Sequence, residues 1–298
     1  MDYNVLRAME ETARQGSIRR ASDILGVAPS SVSRSIAILE REMGTALFDR
    51  SAGGVELTHA GRLVADYARA VLLDFDTLRA DLDDMRGTQR RLLKLTLVES
   101  VASHGPVAAA SKLLERFRTV LFDVRVMPAP RVVEAVRESR CDIGIGFCAE
   151  PDPELLALAS VPEPIVLAIR PDHALTNVTG VELSALAGLA LAVPGFEFGV
   201  RRILDRASAT AGVALTTVLT SNDFEILRGF ARSGAGAAIL PQRAILQDRA
   251  RGQLKIVPLA GTAFRDTTID IVVLRKRRLP RIVRAFADVL IQEIRASG

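Results

Sequence analysis

Residues 17–44 read SIRRASDILGVAPSSVSRSIAILEREMG, and this stretch decides the fold of the first part of the chain. Ser17 suits the start of a helix, because its hydroxyl can accept a hydrogen bond from a free amide of the first turn. Gly26 provides the left-handed residue that ends this helix, and Pro29 suits the first turn of the next one. The spacing therefore predicts two short helices joined by a tight turn.

The second of these helices has an apolar side and a polar side. The apolar residues recur at helical spacing and are Val32, Ile36, Leu39 and Met43. The polar residues lie on the outward side of the first two turns and are Ser30, Ser31, Ser33 and Arg34. A helix that starts in this way can enter the major groove of DNA. We predict that the polar residues contact DNA, with Arg34 binding guanine or phosphate; the alternative is a solvated helix start.

Elements on either side complete this domain. Residues 3–14 are predicted to form a preceding helix. Residues 50–57, RSAGGVEL, predict a glycine turn between two short extended segments, which is typical of a wing. Arg50 and Gly53 are the candidate DNA contacts of the wing. The predicted winged helix-turn-helix domain spans residues 1–58.

Thr58 can cap a long helix that runs to about residue 85. Apolar residues on this helix recur at steps of 3 and 4 residues and are Val64, Tyr67, Val71, Phe75, Leu78, Leu82 and Met85. This near-heptad row favours pairing with the same helix of a second subunit, and packing onto its own domain is the alternative. We predict a linker and dimerisation helix at residues 59–86 and a hinge at residues 87–91.

From residue 92 onward, short β-rich runs alternate with helical ones. The predicted strands are residues 92–98, 122–127, 142–147, 164–170, 189–193, 216–220, 237–240, 254–257 and 267–274. The predicted helices are residues 106–118, 130–140, 198–212, 223–233 and 280–296. This alternation favours an α/β domain at residues 92–298 with mostly parallel sheets and helices on both faces. We predict two Rossmann-like lobes with a cleft between them, lobe I at about 92–165 and 268–298 and lobe II at about 166–267.

Composition sets limits on the class of protein. The chain has 298 residues, 49% of them hydrophobic, and a net charge of +4. Residues 1–58 contain seven arginines against eight acidic residues, so bulk charge does not indicate DNA binding and local placement must account for it. No stretch approaches the roughly 20 apolar residues of a membrane span, and the start lacks a signal-peptide pattern. We expect a cytoplasmic protein with no membrane partner.

The order of these parts resembles the LysR-type transcriptional regulators of bacteria, and the similarity covers essentially the whole chain. The first matching segments are Gly16-Ser17, Ala21 with Leu25, Ser33-Arg34-Ser35-Ile36, Leu39-Glu40, Met43-Gly44, Leu47-Phe48-Asp49-Arg50 and Leu57-Thr58-His59-Ala60-Gly61. The later ones are Cys141-Asp142-Ile143-Gly144-Ile145-Gly146, Asp172-His173-Ala174-Leu175 and Gly234-Ala235-Gly236-Ala237-Ala238-Ile239-Leu240-Pro241. The ordered set is more specific than any single motif.

The resemblance implies a winged helix-turn-helix, a linker helix that pairs subunits, and an effector-binding domain similar in fold to periplasmic solute-binding proteins. It also implies a homodimer or homotetramer that binds double-stranded operator DNA in the cytoplasm, at the nucleoid. A small-molecule effector in the cleft would then modulate DNA binding or bending, and RNA polymerase is a further candidate partner. No cofactor is expected. The alternative is a cytosolic small-molecule-binding protein or enzyme whose N-terminal module only dimerises.

Two departures from the family pattern concern DNA contacts. The family's recognition helix often starts with Ser-Gln-Pro or Ser-Gln-Ser, whereas Ala28-Pro29-Ser30 stands here, so a base-reading glutamine is absent. The family's wing often carries an arginine near its tip, whereas Gly53-Gly54 stands here and is followed by Glu56. The operator preference of relatives therefore does not transfer to this chain.

Candidate effector contacts follow the predicted strands, because the cleft of such folds lies at strand C-termini. The turn after the first strand matches the family's ligand-contacting turn and contains Glu99, Ser100, Val101 and Ala102. The other turns expected to face the cleft contribute Phe147, Cys148, Phe196, Arg201, Arg202, Ser221 and Asn222. Each could instead serve as local capping, as Ser221 and Asn222 before a helix illustrate. Glu99 suggests that the effector is not a simple dianion, unless Arg201 or Arg202 offsets its charge.

Catalytic and metal chemistry have little support in the sequence. The three histidines are scattered, and no nucleophile elbow, P-loop or full dinucleotide fingerprint occurs. Cys141 and Cys148 stand at the two ends of one predicted strand, which would hold them about 20 Å apart, too far for a disulfide. We therefore predict buried inert thiols, no metal site and no enzymatic activity.

Overall fold

A computed structural model describes residues 2–51, 54–86, 91–102, 105–148 and 151–297. The predicted DNA contact at Gly53 and residues 87–90 of the predicted hinge lie outside the described residues. The chain divides into two compact units, Met1–Thr88 with Lys276–Pro280 and Gln89–Arg275 with Arg281–Gly298.

Within its described residues, the first unit contains four helices and two short strands. They are α1 (Tyr3–Gln15), α2 (Ile18–Leu25), α3 (Pro29–Met43), β1 (Phe48–Ser51), β2 (Gly54–Leu57) and α4 (His59–Arg86). The predicted caps of α2 are confirmed: the Ser17 hydroxyl accepts a hydrogen bond from the Arg20 amide at 3.4 Å, and Gly26 has a φ of 67°. β1 and β2 pair antiparallel, as expected of a wing.

The core of this unit lies between α1, α3 and the start of α4. Val32, Ile36 and Leu39 are buried on one side of α3, and Leu6 and Met9 of α1 belong to the same core. The prediction was wrong for the fourth member of the row, since Met43 is 39% exposed in the last turn of α3. The buried row fixes the rotation of α3 and so decides which residues of its first turns face outward.

Thr58 ties the start of α4 to the chain before the wing. Its hydroxyl accepts a hydrogen bond from the Gly61 amide at 2.9 Å and lies 2.9 Å from the Ala46 carbonyl oxygen, to which it donates. Replacing Thr58 with alanine is expected to lower the free energy of unfolding by about 1 kcal/mol, because one amide and one carbonyl lose their partner. Urea denaturation of T58A and T58S measures this effect, and T58S should retain most of it. A midpoint unchanged in T58A would contradict the cap.

The second unit contains ten strands and seven helices among the residues that the structure describes. The strands are β3 (Arg91–Leu97), β4 (Val120–Val126), β5 (Ile143–Phe147), β6 (Leu155–Pro162), β7 (Ile165–Ile169), β8 (Leu191–Pro194), β9 (Thr217–Ser221), β10 (Ala237–Pro241), β11 (Lys255–Pro258) and β12 (Thr268–Leu274). The helices are α5 (Pro106–Arg116), α6 (Ala129–Arg137), α7 (Gly199–Ala211), α8 (Phe224–Ser233), α9 (Leu246–Ala250), α10 (Thr262–Arg265) and α11 (Arg281–Ala296).

These strands form two five-stranded sheets, one in each lobe. The orders are β4-β3-β5-β12-β6 in lobe I and β11-β7-β10-β8-β9 in lobe II. The expectation of mostly parallel sheets was wrong, because each sheet has two parallel and two antiparallel pairings. In each sheet the antiparallel pairs involve strands that adjoin a crossing between the lobes.

Three details differ from the predicted boundaries. The strand β6 was missed, because the alanines and the proline of LLALASVP are poor strand formers and its partner β12 is distant in sequence. Residue 91, placed in the hinge, begins β3. Lys276–Pro280, placed in lobe I, groups with the first unit, where the Thr77 hydroxyl donates a hydrogen bond to the Arg278 carbonyl at 2.9 Å.

The chain crosses between the two sheets twice, once between β6 and β7 and once between β11 and β12. The two crossings are joined, since the Glu163 amide donates to the Thr267 carbonyl at 2.8 Å and the Thr267 hydroxyl donates to the Glu163 carbonyl. We call residues 162–165 and 266–268 the crossing pair. Among the described residues, no helix is long and apolar enough to cross a membrane.

Candidate nucleic-acid interface and ligand cleft

The start of α3 is exposed and open. Ala28 at the N-cap provides no side-chain hydrogen bond to the first turn, and Pro29 follows it. Ser30, Ser31 and Arg34 are exposed, and Ser33 is half-buried. In the part of the chain that the structure describes, Arg34 forms no ion pair. The arrangement leaves a positive charge and three hydroxyls free to reach a ligand at the positive end of the helix dipole.

The wing is held close to the end of α1. The Val55 amide donates a hydrogen bond to the Gly16 carbonyl at 3.1 Å, and a Cβ added at Gly54 would lie 2.8 Å from that same oxygen. Arg50 stands opposite Val55 in the strand register. Arg50 therefore has a fixed backbone position in β1.

The predicted apolar row of α4 divides into two faces. Val64 and Val71 pack against the core of their own unit, as the alternative interpretation held. The exposed members of the row are Tyr67, Phe75, Leu78 and Leu82, and Leu63 beside them is exposed as well. The side chain of Met85, the last member of the predicted row, lies outside the part that the structure describes. Tyr3 of α1 contacts Phe75, with ring centroids 4.9 Å apart. The exposed residues form an apolar face that we call the α4 face.

The second unit contains a cavity of about 460 Å³ at the cleft between its lobes. Its lining residues are Ala129, Pro130, Val133, Glu134, Arg137, Phe147, Cys148, Pro151, Asp152 and Arg202. Of the predicted effector contacts, the cavity brings together Phe147, Cys148 and Arg202. Sequence reasoning missed the contribution of α6, although Pro130 in the first turn of this helix, shortly after β4, was a usable signal.

The two arginines that line this cavity differ in whether they form an ion pair. Arg137 forms an ion pair with Asp152, and the Arg137 guanidinium lowers the pKa of the Asp152 carboxyl by hydrogen bonding. Arg202 is exposed and forms no ion pair within the described part of the chain. Arg202 is therefore the cationic side chain most available to an anionic ligand.

Phe196 and Arg201, both predicted contacts, contact each other and do not line the cavity. The Arg201 guanidinium lies 4.0 Å from the Phe196 ring centroid, and Arg201 pairs with Asp205 at 2.8 Å. Phe196 is 70% exposed. Arg201 therefore already pairs with a carboxylate of its own helix.

The turn after β3 forms a hydrogen bond with the start of α8. The Phe224 amide at the start of α8 donates a hydrogen bond to the Glu99 carboxylate at 2.8 Å. Burial raises the pKa of the Glu99 carboxyl, and this hydrogen bond opposes the rise. Ser100 and Val101 are buried and Ala102 is half-buried, and none of the three lines the cavity of about 460 Å³.

Ser221 and Asn222 precede α8 but do not provide its N-cap. Asp223 is the N-cap, and its carboxylate accepts a hydrogen bond from the Glu225 amide at 2.7 Å. The Ser221 hydroxyl accepts from the Asp223 amide at 3.0 Å, while Asn222 is exposed. The local capping role considered for Ser221 is therefore confirmed in part: its hydroxyl accepts a hydrogen bond from a backbone amide, but the N-cap of α8 is Asp223.

The two cysteines lie in different surroundings. The prediction of buried thiols is confirmed for Cys141 but wrong for Cys148, which is half-buried at the cavity. The Cys148 sulfur accepts a hydrogen bond from the Thr268 amide at 3.4 Å. Burial raises the pKa of the Cys148 thiol, which keeps it protonated and weakly nucleophilic at neutral pH. Within the described residues, no group of three or more metal-binding side chains occurs.

An exposed helix start beside a wing, a long helix with an apolar face, and a two-lobed domain with a cleft define a ligand-responsive DNA-binding protein. The family model for "Bacterial regulatory helix-turn-helix protein, lysR family" matches residues 3–62, and the "LysR substrate binding domain" matches residues 86–295. The chain belongs to the LysR family of transcriptional regulators. This result favours a regulator over the alternative of an enzyme or binding protein with a mere dimerisation module.

Individual proteins agree with the family assignment. The transcriptional regulator BbuR of Bordetella bronchiseptica is 25% identical over 99% of this chain and 91% of its own length. A full-length OxyR variant from Pseudomonas aeruginosa has a TM-score of 0.71 at 20% identity, covering 97% of this chain and 94% of its own. Full-length CbnR complexed with its target DNA has a TM-score of 0.53 at 18% identity, covering 98% and 99%. These structures establish similarity of fold.

Proposed function

We propose that this regulator binds operator DNA through the start of α3, with Ser30, Ser31, Ser33 and Arg34 in the major groove and the wing beside it. The observation that carries the proposal is the open start of α3, whose polar residues are exposed while its opposite side is buried. A fixed helix that presents a cation and hydroxyls at its N-terminus suits phosphates and base edges. The CbnR–DNA complex provides a precedent within the fold.

We further propose that two subunits pair through the α4 face. Four large side chains of one helix side, Tyr67, Phe75, Leu78 and Leu82, are exposed to water there. A row of this kind is stabilised when the same row of a second subunit covers it. Pairing would place two α3 helices to read two half-sites, as palindromic operators require.

The effector, in our proposal, is a small polar molecule that occupies the cavity of about 460 Å³ and modulates DNA binding. Arg202 supports an anionic group on one side, and Phe147 supplies an apolar surface. The role is regulatory, since both matching family models describe parts of transcriptional regulators. A protein that acts on chromosomal DNA works in the cytoplasm, at the nucleoid.

Gel retardation of the intergenic DNA upstream of the protein's own gene tests this function. The full chain should bind that fragment about 10³-fold more tightly than unrelated DNA of equal length at physiological salt. The affinity should fall as salt rises, because phosphate contacts release counterions. Equal affinity for both fragments, at every salt concentration, would contradict sequence-specific regulation and favour a non-specific role.

A further inference from the structure

The start of α8 has three consecutive amides, and each has a different acceptor. The Asp223 amide donates to the Ser221 hydroxyl and the Glu225 amide donates to the Asp223 carboxylate, both within the same turn. The middle amide, that of Phe224, donates to Glu99, which is 125 residues away in sequence. Local capping therefore satisfies the outer two amides and leaves the middle one to the other lobe.

Glu99 belongs to lobe I and α8 belongs to lobe II, so this hydrogen bond bridges the cleft. Other contacts between the two lobes lie nearby. A Cβ added at Gly199, at the start of α7, would lie 3.0 Å from Cδ1 of Phe147 in lobe I. The turn at Glu99–Val101 also contacts the turn at Gln242–Ile245 that follows β10. The lobes thus approach closely on this side.

The start of α8 supplies a partner for a carboxylate, although burial works against the charge of Glu99 and raises its pKa. The start of α8 carries the positive end of a ten-residue helix, which attracts anions. Phe224 is buried, and its ring packs on Phe198 with centroids 5.2 Å apart. The Phe224 hydrogen bond lowers the pKa of Glu99, the Asp223 carboxylate raises it and Arg228 lowers it, and the rise caused by burial outweighs them.

We propose that Glu99 is a specificity-determining residue whose carboxylate acts as a built-in ligand of α8. It occupies the amide that an anionic effector would otherwise bind, and it holds the two lobes together on this side without any effector. The effector of this chain is then a molecule that uses the Arg202 side of the cleft and carries no carboxylate toward α8. This inference rests on the proposed function, since it takes the cleft to be the effector site.

Chemical rescue of a Glu99→Ala variant tests the proposal. The variant should melt about 4 °C below the wild type, because the Phe224 amide loses its acceptor. Acetate supplies the missing carboxylate, and we expect it to restore at least half of this loss relative to sodium chloride at equal ionic strength. Glu99→Gln should melt near the wild type, because its amide oxygen can accept the same hydrogen bond. The matched control is Glu182→Ala, which removes an exposed carboxylate of the same unit.

Two results would overturn the inference. One is a Glu99→Ala melting temperature equal to that of the wild type, and the other is a loss that acetate and chloride change equally. If Glu99→Ala does not fold, Glu99→Asp shortens the side chain by one methylene, and exchange of the Phe224 amide should accelerate at least tenfold. Unchanged exchange in Glu99→Asp also overturns it. These measurements contain no DNA, so failure of operator binding is a separate outcome.

Discussion

Replacing Arg34 with alanine is expected to weaken operator binding by about 10- to 100-fold, the loss typical of one arginine contact to a guanine. The physical reason is position, since Arg34 lies on the exposed side of α3 opposite a buried row. Its side chain forms no ion pair in the described structure, so its removal leaves no intramolecular partner uncompensated. The stability of the variant should therefore equal that of the wild type. Fluorescence anisotropy with labelled operator DNA measures the affinity.

Two further variants show which contact Arg34 makes. Arg34→Lys keeps the charge but loses the planar fork, so a phosphate contact would survive it and a bidentate guanine contact would not. Arg41→Ala removes an arginine of the same helix at its other end and is the matched control. If Arg34→Ala and Arg41→Ala bound operator equally well, the start of α3 would not be the DNA-contacting surface.

Replacing Arg243 with alanine is expected to lower the free energy of unfolding by about 3–5 kcal/mol, because it leaves a buried carboxylate without its cation. Arg243 is 2% exposed and Glu163 is 0% exposed, and their Nε and Oε2 atoms lie 2.6 Å apart. The Arg243 amide also donates to the other Glu163 oxygen at 2.8 Å. Urea unfolding followed by circular dichroism measures the loss. Arg249→Ala, an exposed arginine nearby, should change little.

The same variant should alter the dependence of stability on pH. Burial raises the pKa of Glu163 to about 7, while hydrogen bonds and charge from Arg243 lower it. A raised carboxyl pKa means that the folded state holds the proton more tightly than the unfolded state, so this group's contribution falls as pH rises toward 7. Without Arg243 the pKa rises further, so the difference between variant and wild type should grow above pH 7. A difference that is constant with pH would contradict this assignment.

The double variant Glu163→Gln/Arg243→Met tests whether the loss of stability in Arg243→Ala comes from the uncompensated charge of Glu163. The double variant buries no charge, so it should be more stable than Arg243→Ala alone. If the double variant were the less stable of the two, the uncompensated carboxylate would not be the cause of the loss.

The parts of the fold with local signals could be predicted from the sequence. The helix-turn-helix follows from Ser17, Gly26 and the row from Val32 to Leu39, because helix ends and faces depend on residues within a few positions. The strand β6 could not, since its alternating pattern is weak and its partner β12 lies more than 100 residues away. Long-range pairing is not visible in one sequence.

The candidate site also has a part that local signals predict and a part that depends on contacts between distant segments. Phe147, Cys148 and Arg202 were predicted from strand ends, and they line the cavity. The Glu99 hydrogen bond to Phe224 was not predictable, because it joins two lobes through side-chain reach and not through a motif. The pairing of Arg201 with Asp205 follows from their spacing of four along a helix, a local signal that strand ends alone do not provide.

The crossing pair restricts how the lobes can move. The two chain segments that connect the lobes run side by side there, and hydrogen bonds between Glu163 and Thr267 join them. Both connections between the sheets therefore pass through one place, where they are tied to each other. Rotation of one lobe against the other about this place strains only these short segments, so we expect it to serve as the hinge of the domain.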